Sequence, residues 1–323
     1  VGNGQMLADL TGIPVIFDFR SDDLMNGGEG APFAPAHNLH LAYSLRQQGI
    51  FPVAFCNGGN TGNIAVISAR TQKGKAGVCG FDTGPFNHFV DYLARTEQNL
   101  PCDLDGGCGR LGKINYSLLR ELFNKAAVTR NGRNFILRKP PKSSDPAWYK
   151  IIPALTDPAT SFADRIRTAE FFSAYIFVYA LKHLPGSMLT PQHFLLFGGG
   201  WHNPLILEDF KRLLSGDAGV LPEHEQIFRR VANPQAEVVW SDAYGLNSQY
   251  MEARIFADMA KCKLTGEPFS FPRTTGCSSP TVGGIIARPG ENNRHRWSRA
   301  AKGWQLQKIP PRGGRGAFPT PSN

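Results

Sequence analysis

Long apolar runs are missing from this sequence. No stretch reaches the roughly 20 apolar residues that a membrane-spanning helix needs. The longest candidate, 171–184, is short and is broken near its end by Lys182 and His183. Nothing near Val1 has the charged start, apolar middle and small-residue cleavage site of a signal peptide. The six cysteines (Cys56, Cys79, Cys102, Cys108, Cys262 and Cys277) show no CxxC spacing. No His/Cys cluster has ligand spacing, so no metal site of the zinc type is expected. Cys56 and Cys79 lie in strand-like apolar runs, where free thiols behave as small hydrophobes. A reducing cytoplasm therefore suits the chain better than secretion. There is also no internal repeat of solenoid period.

Acidic residues are nearly lacking at the far end. Residues 289–323 hold Arg294, Arg296, Arg299, Lys302, Lys308, Arg312 and Arg315 against Glu291 alone, which is +6 of the net +9. This stretch is rich in Pro, Gly and Asn without periodic apolar residues, the composition of a disordered tail. A nucleic-acid domain would carry its basic stripe on a folded face, so nucleic acid is not the expected partner. The rest of the chain is near neutral. Its hydrophobic fraction of 41% and charged fraction of 19% are those of a globular protein. At 323 residues it has room for about two domains.

What is present is an ordered set of strand, turn and helix signals. A helical fragment precedes a short strand at 14–19, a glycine-rich loop at 25–32 and a helix ending near Gln47. Apolar runs at 51–56, 63–68 and 76–81, separated by turns rich in Gly with Asn or Lys, predict three consecutive antiparallel strands. Helical periodicity follows at 86–95, 116–125 and 162–183. A strand at 193–197 runs into Gly198-Gly199-Gly200 and a helix starting at Pro204, and a strand at 237–240 precedes a helix over 247–262. This order predicts a mixed-sheet α/β fold.

Two segments carry candidate chemistry. Gly80-Phe81-Asp82-Thr83-Gly84-Pro85 reads as a strand emptying into a glycine turn with a carboxylate at its tip. Asp82 there faces a phosphate, a metal or a water, or else caps the next helix. Gly84 lets backbone approach a ligand. Gly198-Gly199-Gly200-Trp201-His202-Asn203-Pro204 joins a strand to a helix start, where backbone amides and the helix dipole favour an anion.

Taken in order, Asp18-Phe19-Arg20, Gly27-Gly28-Glu29-Gly30-Ala31-Pro32, Gly58-Gly59, the Gly80–Pro85 segment, Pro141-Lys142-Ser143, Gly198-Gly199-Gly200 with Asn203-Pro204, and Met251-Glu252-Ala253 form a series. The series resembles the anhydro-N-acetylmuramic acid kinase family, including its relative levoglucosan kinase, over residues 2–288. The resemblance implies the sugar kinase/heat-shock ATPase/actin superfamily, with two ribonuclease-H-like domains closing on a cleft. It implies that ATP, with Mg²⁺, phosphorylates O6 of a 1,6-anhydro sugar while water opens the bridge at C1. Asp82 matches the water-activating base, and Arg20 and Glu252 match sugar contacts. Gly84, Gly198, Gly199, Gly200 and Asn203 match the nucleotide side. No protein metal ligand is carried over, and a homodimer is a family tendency.

Departures from the family pattern set further expectations. The family's opening segment, with its G-T-S-x-D-G phosphate loop, has no counterpart here, so the first domain is expected to be truncated. The expected division is a first-domain remnant over 1–50, a second domain over 51–277, a return segment over 278–288 and the tail over 289–323. The family's P-K-S-T-G-R-E becomes Pro141-Lys142-Ser143-Ser144-Asp145-Pro146-Ala147, and G-G-I-A-N gains a residue at Gly58-Gly59-Asn60-Thr61-Gly62-Asn63. A usual histidine position holds Asn38, with His37 one place early, and Phe86 stands where Gly is usual. The alternative expectation is a non-catalytic relative that binds a sugar or a nucleotide.

Overall fold

Residues 2–69 and 76–291 are described in the computed structural model of the chain. The tail expected from 289 onward lies, from residue 292, outside the described residues. The chain opens with α1 (Gly4–Thr11), β1 (Val15–Phe17), α2 (Ser21–Met25) and α3 (Ala34–Gln47). Next come β2 (Val53–Gly58), β3 (Thr61–Ala69) and β4 (Ala76–Pro85), followed by α4 (His88–Gln98), α5 (Tyr116–Lys125), α6 (Pro153–Thr156) and α7 (Phe162–Ala180). The remaining elements are β5 (His193–Phe197), α8 (Pro204–Ser215), α9 (Glu225–Val231), β6 (Glu237–Trp240), α10 (Met251–Thr265) and β7 (Ile285–Ala287). No helix among the described residues is long and apolar enough to cross a membrane.

Five strands form one mixed sheet in the order β4-β3-β2-β5-β6. The three consecutive strands pair antiparallel, as their apolar runs and intervening turns predict, whereas β5 joins β2 in parallel and β6 joins β5 in parallel. Period-two alternation sends successive side chains to opposite faces. Cys56, Ile64, Val66, Phe81 and Leu196 enter a core shared with α4, α5, α7 and α8. Val53, Phe55, Ile67, Leu195 and Phe197 enter a second core with Ala42 and Leu45 of α3 and Met251 of α10. Helix α7 is buried on almost every side, with Arg167 the exception between residues 165 and 180. From Phe171 to Ala180 its sequence is accordingly apolar on every side but for Ser173. The result is the mixed α/β fold expected. A separate two-stranded sheet pairs Val15–Phe17 antiparallel with Ile285–Ala287, so the two ends of the described chain meet.

One expectation is corrected. Gly80–Pro85 is not a turn: β4 runs unbroken through Pro85, and Asp82 pairs with Asn63 beside a register shift at Gly62. Asp82 does not cap the following helix, which starts at His88 behind Asn87. The glycines have another cause. A Cβ on Gly80 would fall 2.2 Å from Pro35 of α3, and one on Gly84 would fall 3.1 Å from Ile176 of α7. Gly84 also holds φ 140°, a conformation open to glycine. These positions are small because helices press on both faces of the strand, one of the meanings of glycine inside a strand.

Candidate active site

A cavity of about 1380 Å³ opens at one end of the sheet, lined from all five of its strands. It receives Asp82 from β4, Ser143 and Ser144 from the loop between α5 and α6, and Arg20 from the start of α2. Gly198, Gly199 and His202 reach it from the turn after β5, Trp240 from the end of β6, and Glu252 from α10. Ligands of α/β sheets commonly bind beyond the carboxyl ends of parallel strands, and β5 and β6 deliver their ends here.

Asp82 is only 7% exposed and is held by one oxygen. Its Oδ2 accepts the Ser144 backbone N–H at 2.7 Å, the Ser144 hydroxyl at 3.1 Å and the Ser143 hydroxyl at 3.2 Å. The Ser144 hydroxyl also lies 2.7 Å from the Tyr149 hydroxyl, which lies 2.8 Å from Thr61 Oγ1. Three donors on Oδ2 fix the carboxylate and leave Oδ1 without a hydrogen bond among the described residues. Burial pushes the Asp82 pKa above the usual carboxylate value, opposed by the Ser144 and Ser143 bonds and by the charge of Lys142. Lys142 lies fully buried next door. Its Nζ donates to the Ile136 carbonyl at 3.2 Å and sits 4.7 Å from the Phe135 ring centroid. Burial lowers its pKa to about 7, against the pull of Asp82.

The glycine triplet divides into three roles. Gly198 has φ 95°, and a Cβ there would meet Asn57 Oδ1 at 2.5 Å. A Cβ on Gly200 would meet Asn87 Oδ1 at 2.6 Å and Phe86 at 2.7 Å. Only Gly199 has nothing within 4 Å of that position, so its backbone is the one open to a ligand. Asn203 is buried behind the turn. Its Oδ1 accepts from Leu205 N at 3.0 Å and Ile206 N at 3.4 Å, and its Nδ2 donates to Glu170 Oε1 at 2.6 Å. The Leu205 and Ile206 amides at the start of α8 are thus capped by Asn203 itself.

The cavity therefore brings together Asp82, Arg20, Glu252, Gly198 and Gly199, while Gly84, Gly200 and Asn203 stand behind its walls. Behind Asn203, Glu170 is fully buried against Asp103, and burial raises its pKa to about 8. Sequence reasoning assigned no role to Ser144, Tyr149, Lys142, Glu170, His202 or Trp240. The two serines after Lys142 were a usable signal for a carboxylate clamp. Glu170, inside an otherwise apolar helix, was another. No local pattern marks Trp240, because its partner His202 lies 38 residues away by position along the chain.

A sequence model described as anhydro-N-acetylmuramic acid kinase matches residues 1–289. A protein of Rhizorhabdus wittichii named anhydro-N-acetylmuramic acid kinase is 32% identical over 289 residues, covering 90% of this chain and 68% of that one. One of the same name from Cereibacter sphaeroides is 33% identical over 292 residues, covering 89% and 69%. Among solved structures, a xylulose kinase of Lactobacillus acidophilus aligns with TM-score 0.32 and 11% identity over 79% of this chain and 45% of that one. The chain thus spans about two thirds of the curated relatives and under half of that kinase. It belongs to the anhydro-N-acetylmuramic acid kinase family.

Proposed function

We propose that this family member is an ATP-dependent phosphotransferase that opens 1,6-anhydro-N-acetylmuramic acid with water and phosphorylates its O6. The observation that carries the reading is Asp82, pinned through Oδ2 on the wall of the cavity with Oδ1 free of donors among the described residues. In this reading, Asp82 takes a proton from a water as that water's oxygen bonds to C1. The C1–O6 bond breaks, and O6 takes the bond's electron pair to the γ-phosphorus while ADP departs. A positioned carboxylate suits such proton transfer. The serine bonds hold the base in place before the substrate arrives, a precondition for positioning catalysis.

Arg20 and Glu252 are proposed to bind the sugar's polar groups, and Gly198 and Gly199 to line the nucleotide side. For Gly84, Gly200 and Asn203 we propose an indirect part: they let the strand and turn pack closely enough to present their neighbours. The open Gly199 backbone fits a nucleotide, and the cavity exceeds the roughly 300–1,000 Å³ of single-ligand pockets. No group of three or more His, Cys, Asp or Glu that could hold a metal occurs among the described residues. Mg²⁺ is proposed to be carried mainly on the phosphates with few protein ligands, where it would supply charge neutralisation. We further propose the division into 1–50, 51–277 and 278–288, and a cytoplasmic setting in keeping with the free cysteines among the described residues.

The test is to supply the full chain with ATP, Mg²⁺ and either 1,6-anhydro-N-acetylmuramic acid or levoglucosan in ¹⁸O-labelled water. The expected product is the 6-phosphate of the amino sugar with label at C1. Turnover of levoglucosan alone would move the substrate assignment. Binding of sugar or nucleotide without turnover of either sugar would replace the enzyme reading by that of a binding module.

A further inference from the structure

The turn after β5 and the end of β6 bring two flat rings together. His202 and Trp240 lie with centroids 4.5 Å apart and planes 25° from parallel, and both line the cavity. His202 is exposed, and Trp240 is partly so at the carboxyl end of a parallel strand. The register that pairs Leu196 with Trp240 sets this ring beside the glycine turn. Gly199, the glycine whose backbone is unobstructed, is three residues before His202. Ser248 and Gln249 line the same cavity with polar side chains. Their segment is anchored where Ser248 N donates to Asp242 Oδ1 at 3.2 Å.

We propose that Trp240, backed by His202, is the platform on which the base of the nucleotide stacks. This rests on the kinase reading above and names a residue for its nucleotide side. A purine is flat and offers a π-face over its whole area, which an aromatic platform matches without base-specific bonds. A pyranose is puckered and hydroxylated, and the cavity offers Arg20, Glu252 and Asp82 for such groups. The open Gly199 backbone beside the platform leaves room for the phosphates leading from the base toward Asp82. Ser248 and Gln249 are placed to meet the base's edge.

The experiment measures binding of a non-hydrolysable ATP analogue and of inorganic tripolyphosphate to the full chain by calorimetry. The variants are Trp240→Ala, Trp240→Phe and His202→Ala. Loss of a base-stacking aromatic is expected to weaken the ATP analogue about tenfold or more. Tripolyphosphate, which has no base, should bind Trp240→Ala as it binds wild type, and Trp240→Phe should recover most of the analogue affinity. Since His202 is exposed, His202→Ala should fold and show a smaller loss in the same direction. Unchanged analogue affinity in Trp240→Ala, or equal weakening of both probes, would overturn the platform while leaving the kinase reading intact. A rise in the sugar's KM with nucleotide affinity unchanged would overturn it in favour of sugar stacking. Wild-type protein that binds neither probe would remove both readings together.

Discussion

Replacing Asp82 with Asn separates chemistry from stability. The amide oxygen of Asn can still accept the 2.7 Å bond from Ser144 N, so the geometry of the strand and loop is retained. What disappears is the ability to accept a proton. General-base catalysis is worth about 10²- to 10⁴-fold, so kcat should fall by that factor, equivalent to about 2.7–5.4 kcal/mol of barrier. Nucleotide affinity should stay near wild type. The folded protein should gain stability at neutral pH, because burial raises the Asp82 pKa and so opposes its charge in the native state. The sign follows from linkage: between the unfolded and the higher folded pKa the native state binds more protons, so the wild type loses stability as pH rises through that window. The Asn variant has nothing to titrate there. The pH profile gives a second reading. Wild-type kcat/KM should fall on acidification at a pH above the ordinary aspartate value of 3.8. Ser144→Ala, which removes one hydroxyl donor to the charged form, should move that limb higher. Steady-state kinetics, calorimetry and thermal melts across pH supply the measurements. Wild-type turnover by Asp82→Asn would refute the base assignment. A fall in melting temperature and in nucleotide affinity along with turnover would show that Asp82 acts only as a structural group.

Other outcomes follow from close contacts. Gly200→Ala should destabilise by about 1–3 kcal/mol in chemical denaturation, as overpacking does, because its Cβ would meet Asn87 and Phe86. Gly199→Ala should leave stability within about 0.5 kcal/mol, as substitutions outside packed sites do, yet raise the KM for ATP. Equal stability losses in the two would refute the division of roles within the triplet. Glu170, its pKa raised from 4.5 to about 8 by burial, should cost the wild type stability progressively as pH rises through that interval. Glu170→Gln should flatten this dependence in melts from pH 5 to 8 while keeping a hydrogen-bonding group against Asn203.

Much of the fold is legible in local pattern. The apolar runs 51–56, 63–68 and 76–81 and the glycine turn at Gly58-Gly59 are enough to expect antiparallel neighbours, because short apolar runs joined by such turns fold back as hairpins. The helical periodicity of Phe162, Ile166, Ala169, Phe172 and Ile176 marks the helix at 162–183, although only packing shows it buried on almost every side. Gly80–Pro85 misled for a physical reason. Local glycine content does not distinguish a turn from a strand squeezed between Pro35 and Ile176, residues far away in sequence. The site was legible as residue types and order, and its family followed from them. The division of labour within it was not, since it depends on contacts made across the fold.

The sequence by itself determined the strand and helix order, the family and the identity of Asp82, Arg20 and Glu252 as candidates, because these depend on neighbours along the chain. Tertiary structure alone decided that Asp82 lies within β4, held by Ser143 and Ser144, which are more than 60 residues ahead. It alone decided that Gly199 is open while Gly198 and Gly200 are packed, and that Asn203 caps its own helix against buried Glu170. The stacking of Trp240 on His202 belongs here too. Each of these depends on which surfaces meet when β4, β5, β6 and α7 pack, and burial then sets the electrostatics of the groups enclosed.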